Sequence, residues 1–337
     1  MSKKPGASVS VPPAVELSLV GSSDTPTSSE PQEPEASATR PDPLADLFAL
    51  DRATATDEQI QEIVNRHVAH LVQSQAALTA YNVLILHDGR SIDRSDSNKI
   101  YQALSDVDRS KPILLILRSP GGDISAAYFI GKLCREYTSA GFEVAVPREA
   151  KSAATLICCG ADTIHMGSLS ELGPIDPQFG GMPALAVKHS LEHLAEIVTR
   201  HPSAKEMLSE YLVKALPVNI VGHFERAAGS AAQYAERLLS SRRKSFGSTM
   251  NAEIARKLVY DYKDHGFAID AREAISIFGD GMIQTNSAQY SAANQVYDEI
   301  DLVEWILGRR FNRNFAFTGG AASGCQVVVK RDAQQSA

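Results

Sequence analysis

Ser119-Pro120-Gly121-Gly122-Asp123 and Lys151-Ser152-Ala153-Ala154-Thr155 are the two stretches of this chain whose residue types can do chemistry together. Hydrolysis at an ester or amide needs a nucleophile, donors for the developing oxyanion and a base. Gly121 and Gly122 offer backbone N–H groups with no side chain to hold a substrate away. Ser152 precedes an apolar helical pattern, so its hydroxyl sits where the positive end of a helix dipole favours negative charge. Taken singly, each feature has a plainer role. A Gly-Gly pair makes tight turns, and a serine at a helix start is a common N-cap.

What joins them is the pattern of elements on either side. Each stretch follows an apolar run of strand type, residues 113–117 before the first and 142–146 before the second. Each precedes a helical pattern, 126–137 and 153–160. Pro120 cannot continue a ladder, so the first strand must stop there. Residues 82–86 and 163–166 read as further strands, and 95–105 as a helix between them. Continuously apolar strands separated by helices predict an α/β fold: a parallel sheet covered on both faces, with right-handed crossovers. The two junctions then fall at the carboxyl ends of neighbouring strands, where open sheets of this class bind ligands.

The remainder divides by composition. Residues 1–43 are rich in Pro, Ser, Thr, Ala and Glu, too poor in patterned apolar residues to offset their ordering entropy, and read as a disordered tail. Residues 44–80 form an N-terminal helical segment. Its capping box runs from Thr56 to Gln59, and Ile60, Ile63, His67, His70 and Leu71 lie near one face. Residues 81–200 are the α/β core, and 201–312 a helical extension built from patterns over 204–215, 221–239, 251–262, 271–278 and 299–307. Residues 313–337 read as a flexible tail.

The chain has 337 residues, 44% of them hydrophobic, and a formal net charge of −7, which argues against general nucleic-acid binding. The cluster Arg242-Arg243-Lys244 has no interleaved aromatic residues and reads as a solvated loop. No window approaches the roughly 18 apolar residues of a membrane span. The first residues lack the apolar core of a secretory signal, so the expected location is cytoplasmic. Cys134, Cys158, Cys159 and Cys325 lack metal-ligand spacing and read as buried free thiols. Neither a metal nor a cofactor is expected.

The run 114–133 with its Ser-Pro-Gly-Gly turn resembles Clp-type and signal-peptide-peptidase serine peptidases of the crotonase-like fold. Over Ala150 to Ile157, Gly160-Ala161-Asp162, Met166-Gly167 and the stretch from Ser170-Glu171-Leu172-Gly173-Pro174 to Ile175-Asp176-Pro177-Gln178, the chain is similar to the serine dehydrogenase proteinase family. That resemblance implies a serine peptidase forming an acyl-enzyme on Ser152. The oxyanion-hole donors would be the N–H groups of Gly122 or Gly121 and of Ala153. It further implies a peptide or protein substrate and assembly as a homo-oligomer. Ala154 departs from the glycine usual in the family.

The base is the open element. The offset at which Clp-type relatives carry a histidine falls here on Pro177. His165 lies on the 163–166 strand and reads as structural. Signal-peptide-peptidase relatives use a lysine, and a Ser–Lys pair is a recognised variant of triad logic. Lys188, flanking the apolar face Val187, Leu191, Leu194 and Val198 of a helix from Pro183, is the candidate; its plainer role is a surface pair with Glu192. His189 and His193 stand in reserve, and Asp176 is placed to orient a base or hold substrate backbone. His265, in Tyr262-Lys263-Asp264-His265-Gly266-Phe267, reads as a turn residue, with a role near the site as the alternative that its similarity to the family's His-containing turn offers. Two other functions share these residues: a non-catalytic peptide-binding relative, and a crotonase-type enzyme holding an acyl-CoA enolate.

Overall fold

The computed structural model describes residues 43–179, 182–215 and 218–329, so the expected tail over 1–43 lies outside the described residues except for Pro43, which opens the first helix. The first half runs α1 (Pro43–Ala49), α2 (Asp57–Ser74), β1 (Asn82–His87), α3 (Arg94–Leu104), β2 (Ile113–Arg118), α4 (Ile124–Glu136), β3 (Phe142–Val146), β4 (Glu149–Ala150), α5 (Ala153–Cys159), β5 (Thr163–Met166) and β6 (Glu171–Leu172). The second runs β7 (Gln178–Phe179), β8 (Met182–Pro183), α6 (Ala184–Arg200), α7 (Lys205–Ala215), α8 (Val218–Ser241), α9 (Ser248–Tyr260), β9 (Ile269–Asp270), α10 (Ala271–Phe278), β10 (Ile283–Thr285), α11 (Ala288–Arg310), β11 (Arg313–Gly320) and β12 (Cys325–Val329).

Side chains on a strand alternate between faces, so a strand apolar at several successive positions must be covered twice. β1, β2 and β3 do this. Leu84, Leu86, Leu115, Leu117, Val144 and Val146 enter a core with α3, α4, α5, α8, α9 and α10. Ile85, Leu114, Ile116 and Ala145 enter a second core with α1, α2 and α11. The seven-stranded sheet has the order β10-β5-β3-β2-β1-β11-β12, parallel from β10 to β1 and antiparallel beyond. The fold is therefore the expected α/β architecture with a mostly parallel central sheet and a largely helical second half.

Four readings change. The stretch from 313 is no tail: β11 pairs antiparallel with β1 and β12 with β11, and Phe315, Phe317 and Val327 sink into the second core. With β10 joining β5, the second half supplies both edges of the sheet rather than only packing helices on it. The buried stripe of α2 is Ile60, Val64, Val68 and Val72, rotated from the expected Ile63, His67 and His70. The Arg242 guanidinium is buried, donating to the carbonyls of Ala161 (2.7 Å) and Asp162 (3.3 Å), and Arg243 N–H donates to Asp162 Oδ1 (2.8 Å), so this cluster ties α8 to the end of α5. The four cysteines are buried and free, as expected, and burial pushes the Cys134 and Cys159 thiols up to about 12.

Candidate active site

The two chemical stretches come together through backbone pairing. Beyond β2, Ser119 N–H donates to Glu149 O and Lys151 N–H to Ser119 O, both at 3.0 Å, so the Ser119–Gly122 turn lies beside the Ala150–Ser152 turn. On its other side, Ile92 N–H donates to Gly121 O (2.7 Å) and Asp123 N–H to Ile92 O (2.8 Å). The Gly-Gly turn is thus clamped between the loop before α3 and the start of α5.

This clamp explains both glycines. Gly121 has φ +114° and Gly122 φ +145°, which side-chain-bearing residues rarely adopt. A Cβ on Gly121 would lie 2.8 Å from Ser152 Cβ and 2.9 Å from Lys151 O, and one on Gly122 would run into the Ile92 backbone. Gly121 N–H is already engaged, donating to Ser119 Oγ at 3.1 Å. Gly122 N–H and Ala153 N–H donate to no described residue, the latter because it is the first residue of α5 and has no intrahelical partner.

Ser152 is not an ordinary cap. Its φ of 50° and ψ of −115° put a non-glycine residue in a region normally left to glycine, and its side chain makes no capping bond. Such backbone costs about 1–3 kcal/mol and persists only where surrounding structure enforces it. A serine on a sharp, strained strand-to-helix turn is the geometry that pushes a nucleophilic hydroxyl outward. Here the half-buried Ser152 lines a cleft of about 490 Å³ with Ser91, Gly122, Asp123, Ala153, Gln178 and His265. Ala227 and Ser230 of α8 close its far wall.

The stretch after β5 builds the floor. Ser170 Oγ donates to Val146 O (2.5 Å) and accepts from Gly167 N–H (2.7 Å). Fully buried Thr155 joins Ala150 O (2.6 Å) to Gly173 O (2.8 Å) through its hydroxyl and accepts from Gly173 N–H (3.0 Å). Ile175 N–H donates to Leu258 O of α9 (2.9 Å), which fixes the buried Asp176 that follows. Asp176 Oδ2 lies 3.8 Å from His265 Nδ1.

Of the expected site residues, Ser152, Gly122 and Ala153 meet at one cleft, which Pro120 also lines; Gly121 lies behind it, its N–H held by Ser119 Oγ. Asp176 approaches it through His265. His193 does not reach it: it is exposed on α6, with Glu196 at 3.9 Å, and His189 is exposed too. Lys188 lies on α6, and its side chain falls outside the described residues. His165 is structural, as expected, with Nε2 on Glu143 (2.9 Å) and Nδ1 on Ser287 Oγ (2.8 Å). His265 sits in a turn, as expected, and that turn also lines the cleft.

Residues 48–199 match the model of the ClpP-like SDH-type serine proteinase family, a span that holds the Gly-Gly turn, Ser152 and Asp176 but stops short of His265. The chain is similar to two uncharacterized proteins of Methanocaldococcus jannaschii. One is 34% identical over 128 residues, 38% of this chain and 43% of that protein. The other is 26% identical over 213 residues, 59% of this chain and 72% of that protein. The match thus spans less than half the length of the first of these relatives. A solved membrane-bound stomatin-specific protease in complex with a substrate peptide is similar at 13% identity and a TM-score of 0.38, covering 75% of this chain and 89% of that one. Among the described residues, no helix is long and apolar enough to cross a membrane. Residues 48–199 are therefore where this chain is similar to the ClpP-like SDH-type serine proteinases.

Proposed function

We propose that this protein is a serine peptidase that cleaves peptide bonds through an acyl-enzyme on Ser152. The observation that carries the reading is the strained, non-capping Ser152 beside two unengaged N–H groups, those of Gly122 and Ala153. A serine kept for helix capping would use its hydroxyl on the helix and would need no positive φ. Attack by Ser152 Oγ on a peptide carbonyl places negative charge on the carbonyl oxygen, and these two donors, at the positive end of α5, meet it. Gly121 serves by shape, because its own N–H is held by Ser119. Removing one such donor typically costs about 10²–10³ in rate.

Lys188 remains the base that the family resemblance favours, in a Ser–Lys arrangement. The substrate is a peptide or protein chain, and self-assembly into a homo-oligomer fits the resemblance to Clp-type relatives. Hydrolysis of an unfolded protein such as casein, lost in Ser152→Ala with the fold retained, is the expected result. Hydrolysis that survives Ser152→Ala would overturn this reading, and a wild type that binds casein without cleaving it would favour the non-catalytic peptide-binding alternative.

A further inference from the structure

The geometry points to a binding site for a divalent transition-metal ion of the zinc class, formed by His87, Asp301 and Glu304 where the end of β1 meets α11. These residues are not among those lining the Ser152 cleft, and the site does not depend on the peptidase reading. It uses no cysteine, so the lack of metal-ligand spacing among the cysteines does not bear on it.

β1 is apolar from Val83 to Leu86 and ends on His87, which is 2% exposed. Side chains two apart on a strand share a face. His87 therefore points with Ile85 toward the layer that holds α11, and its ring lies 5.5 Å from that of Tyr297, centroid to centroid. On α11, Tyr297, Asp301 and Glu304 recur at the spacing of one helix face. That face brings Glu304 Oε2 to 2.9 Å from His87 Nε2. One ligand atom from each of His87, Asp301 and Glu304 lies within 4.8 Å of the other two. Tyr297 donates its hydroxyl to Asp301 Oδ1 at 3.4 Å, the kind of outer hydrogen bond that orients a ligating carboxylate.

The donor set selects the ion. A histidine with a single carboxylate is complete in itself, as His165 with Glu143 shows. Here a second carboxylate approaches the same imidazole nitrogen, which has one proton at most and so serves one of the two. Two carboxylates this close repel unless a cation lies between them. The guanidinium groups near Tyr297 are engaged elsewhere, Arg148 with Asp298 (2.9 Å) and Arg118 with Glu149 (3.4 Å). An imidazole nitrogen with two carboxylate oxygens suits zinc and its first-row neighbours, whereas magnesium and calcium favour oxygen ligands alone. Zinc bonds of about 2.0–2.2 Å in a tetrahedron set ligand atoms about 3.3–3.6 Å apart, so shifts of about 1 Å complete the site. Asp301 is exposed and Glu304 half-buried, which leaves an entry path and a fourth position open to water.

The ion ties α11 to the root of the loop that clamps the Gly-Gly turn. Asp88, next to His87, is buried; its N–H donates to Arg118 O (3.1 Å) and its carboxylate holds Arg90 (2.9 Å). A short way on, Ile92 N–H donates to Gly121 O. Loading His87 thus fixes one end of a short segment whose other end shapes the turn.

Trp305 supplies the readout. It is the only tryptophan of the chain, adjoins Glu304 on α11 and is 60% exposed. Its emission in the full chain is followed against Co²⁺, a paramagnetic ion that occupies zinc sites and quenches nearby fluorescence. Saturable quenching at one ion per chain is expected, reversed by Zn²⁺ and not produced by Mg²⁺. Asp301→Asn and Glu304→Gln, each close to the native shape, should each weaken binding at least about tenfold. Zn²⁺ should raise the thermal unfolding midpoint of wild type and not that of the double variant. Glu299→Gln, on the same helix but paired with His67, should leave the titration unchanged, as should His189→Ala with His193→Ala on the exposed face of α6. Three results would each overturn the site: no saturable quenching in wild type, a double variant of native circular dichroism that is quenched like wild type, or equal weakening in Glu299→Gln.

Discussion

Two histidine–carboxylate pairs in this molecule look alike in sequence and differ in structure. His165 on β5 is nearly buried and closed: both ring nitrogens are used, on Glu143 at 2.9 Å and Ser287 at 2.8 Å. His265 is partly open: its Nδ1 stands 3.8 Å from Asp176 with no bond made, and its ring faces a cleft shared with Ser152. A satisfied buried network stiffens the sheet and has nothing left to give a substrate. An unsatisfied pair at the rim of a cleft keeps hydrogen-bonding capacity open, at some expense in stability. The contrast separates a closed, structural histidine from one that lines a cleft.

Three changes probe that contrast, beginning with the largest effect. Gly121→Ala puts a methyl group 2.8 Å from Ser152 Cβ at a φ of +114°, so it should displace Ser152 within the cleft. A loss of about 100-fold or more in kcat is expected, because a displacement near 1 Å has that effect; a kcat within a few-fold of wild type would mean that the two turns are not as tightly matched as described. Lys151→Met removes the tie to Phe267 O and the pair with Glu171. It should lower kcat about tenfold with KM little changed, read from casein or peptide turnover. His165→Gln should leave turnover within about twofold while lowering stability by about 1–3 kcal/mol, since it strands a partner in a buried network. Chemical denaturation checks the stability change, and a large loss of turnover at unchanged stability would erase the distinction between the pairs.

The parts legible in the sequence are those whose signals are local. Continuous apolar runs at 82–86, 113–117 and 142–146 announced strands covered on both faces, and Pro120 with Gly121-Gly122 announced the turn. Ser152 stood out by its place between a strand and an apolar helix. Its strained φ was not legible, because nothing local forces it; the neighbouring Gly-Gly turn and the Ser119–Ala150 pairing do. β11 escaped notice because Arg313-Asn314-Phe315-Ala316-Phe317-Thr318 mixes polar and aromatic residues, and its Thr318 hydroxyl donates to a distant partner, Asp96, at 3.0 Å. The α2 face was rotated because α2 packs not only against the neighbouring α1 but also against α11 and β12, far along the chain. The His265 turn was legible as a turn, but its place beside Asp176 and at the cleft depends on contacts between distant segments that leave no trace in local spacing.

The account stands on Ser152 as nucleophile, and covalent labelling tests that most directly. Wild-type protein treated with a fluorophosphonate should carry one adduct, located on Ser152 by peptide mass spectrometry and absent from Ser152→Ala. An adduct on another residue, or one that persists in Ser152→Ala, would contradict the account.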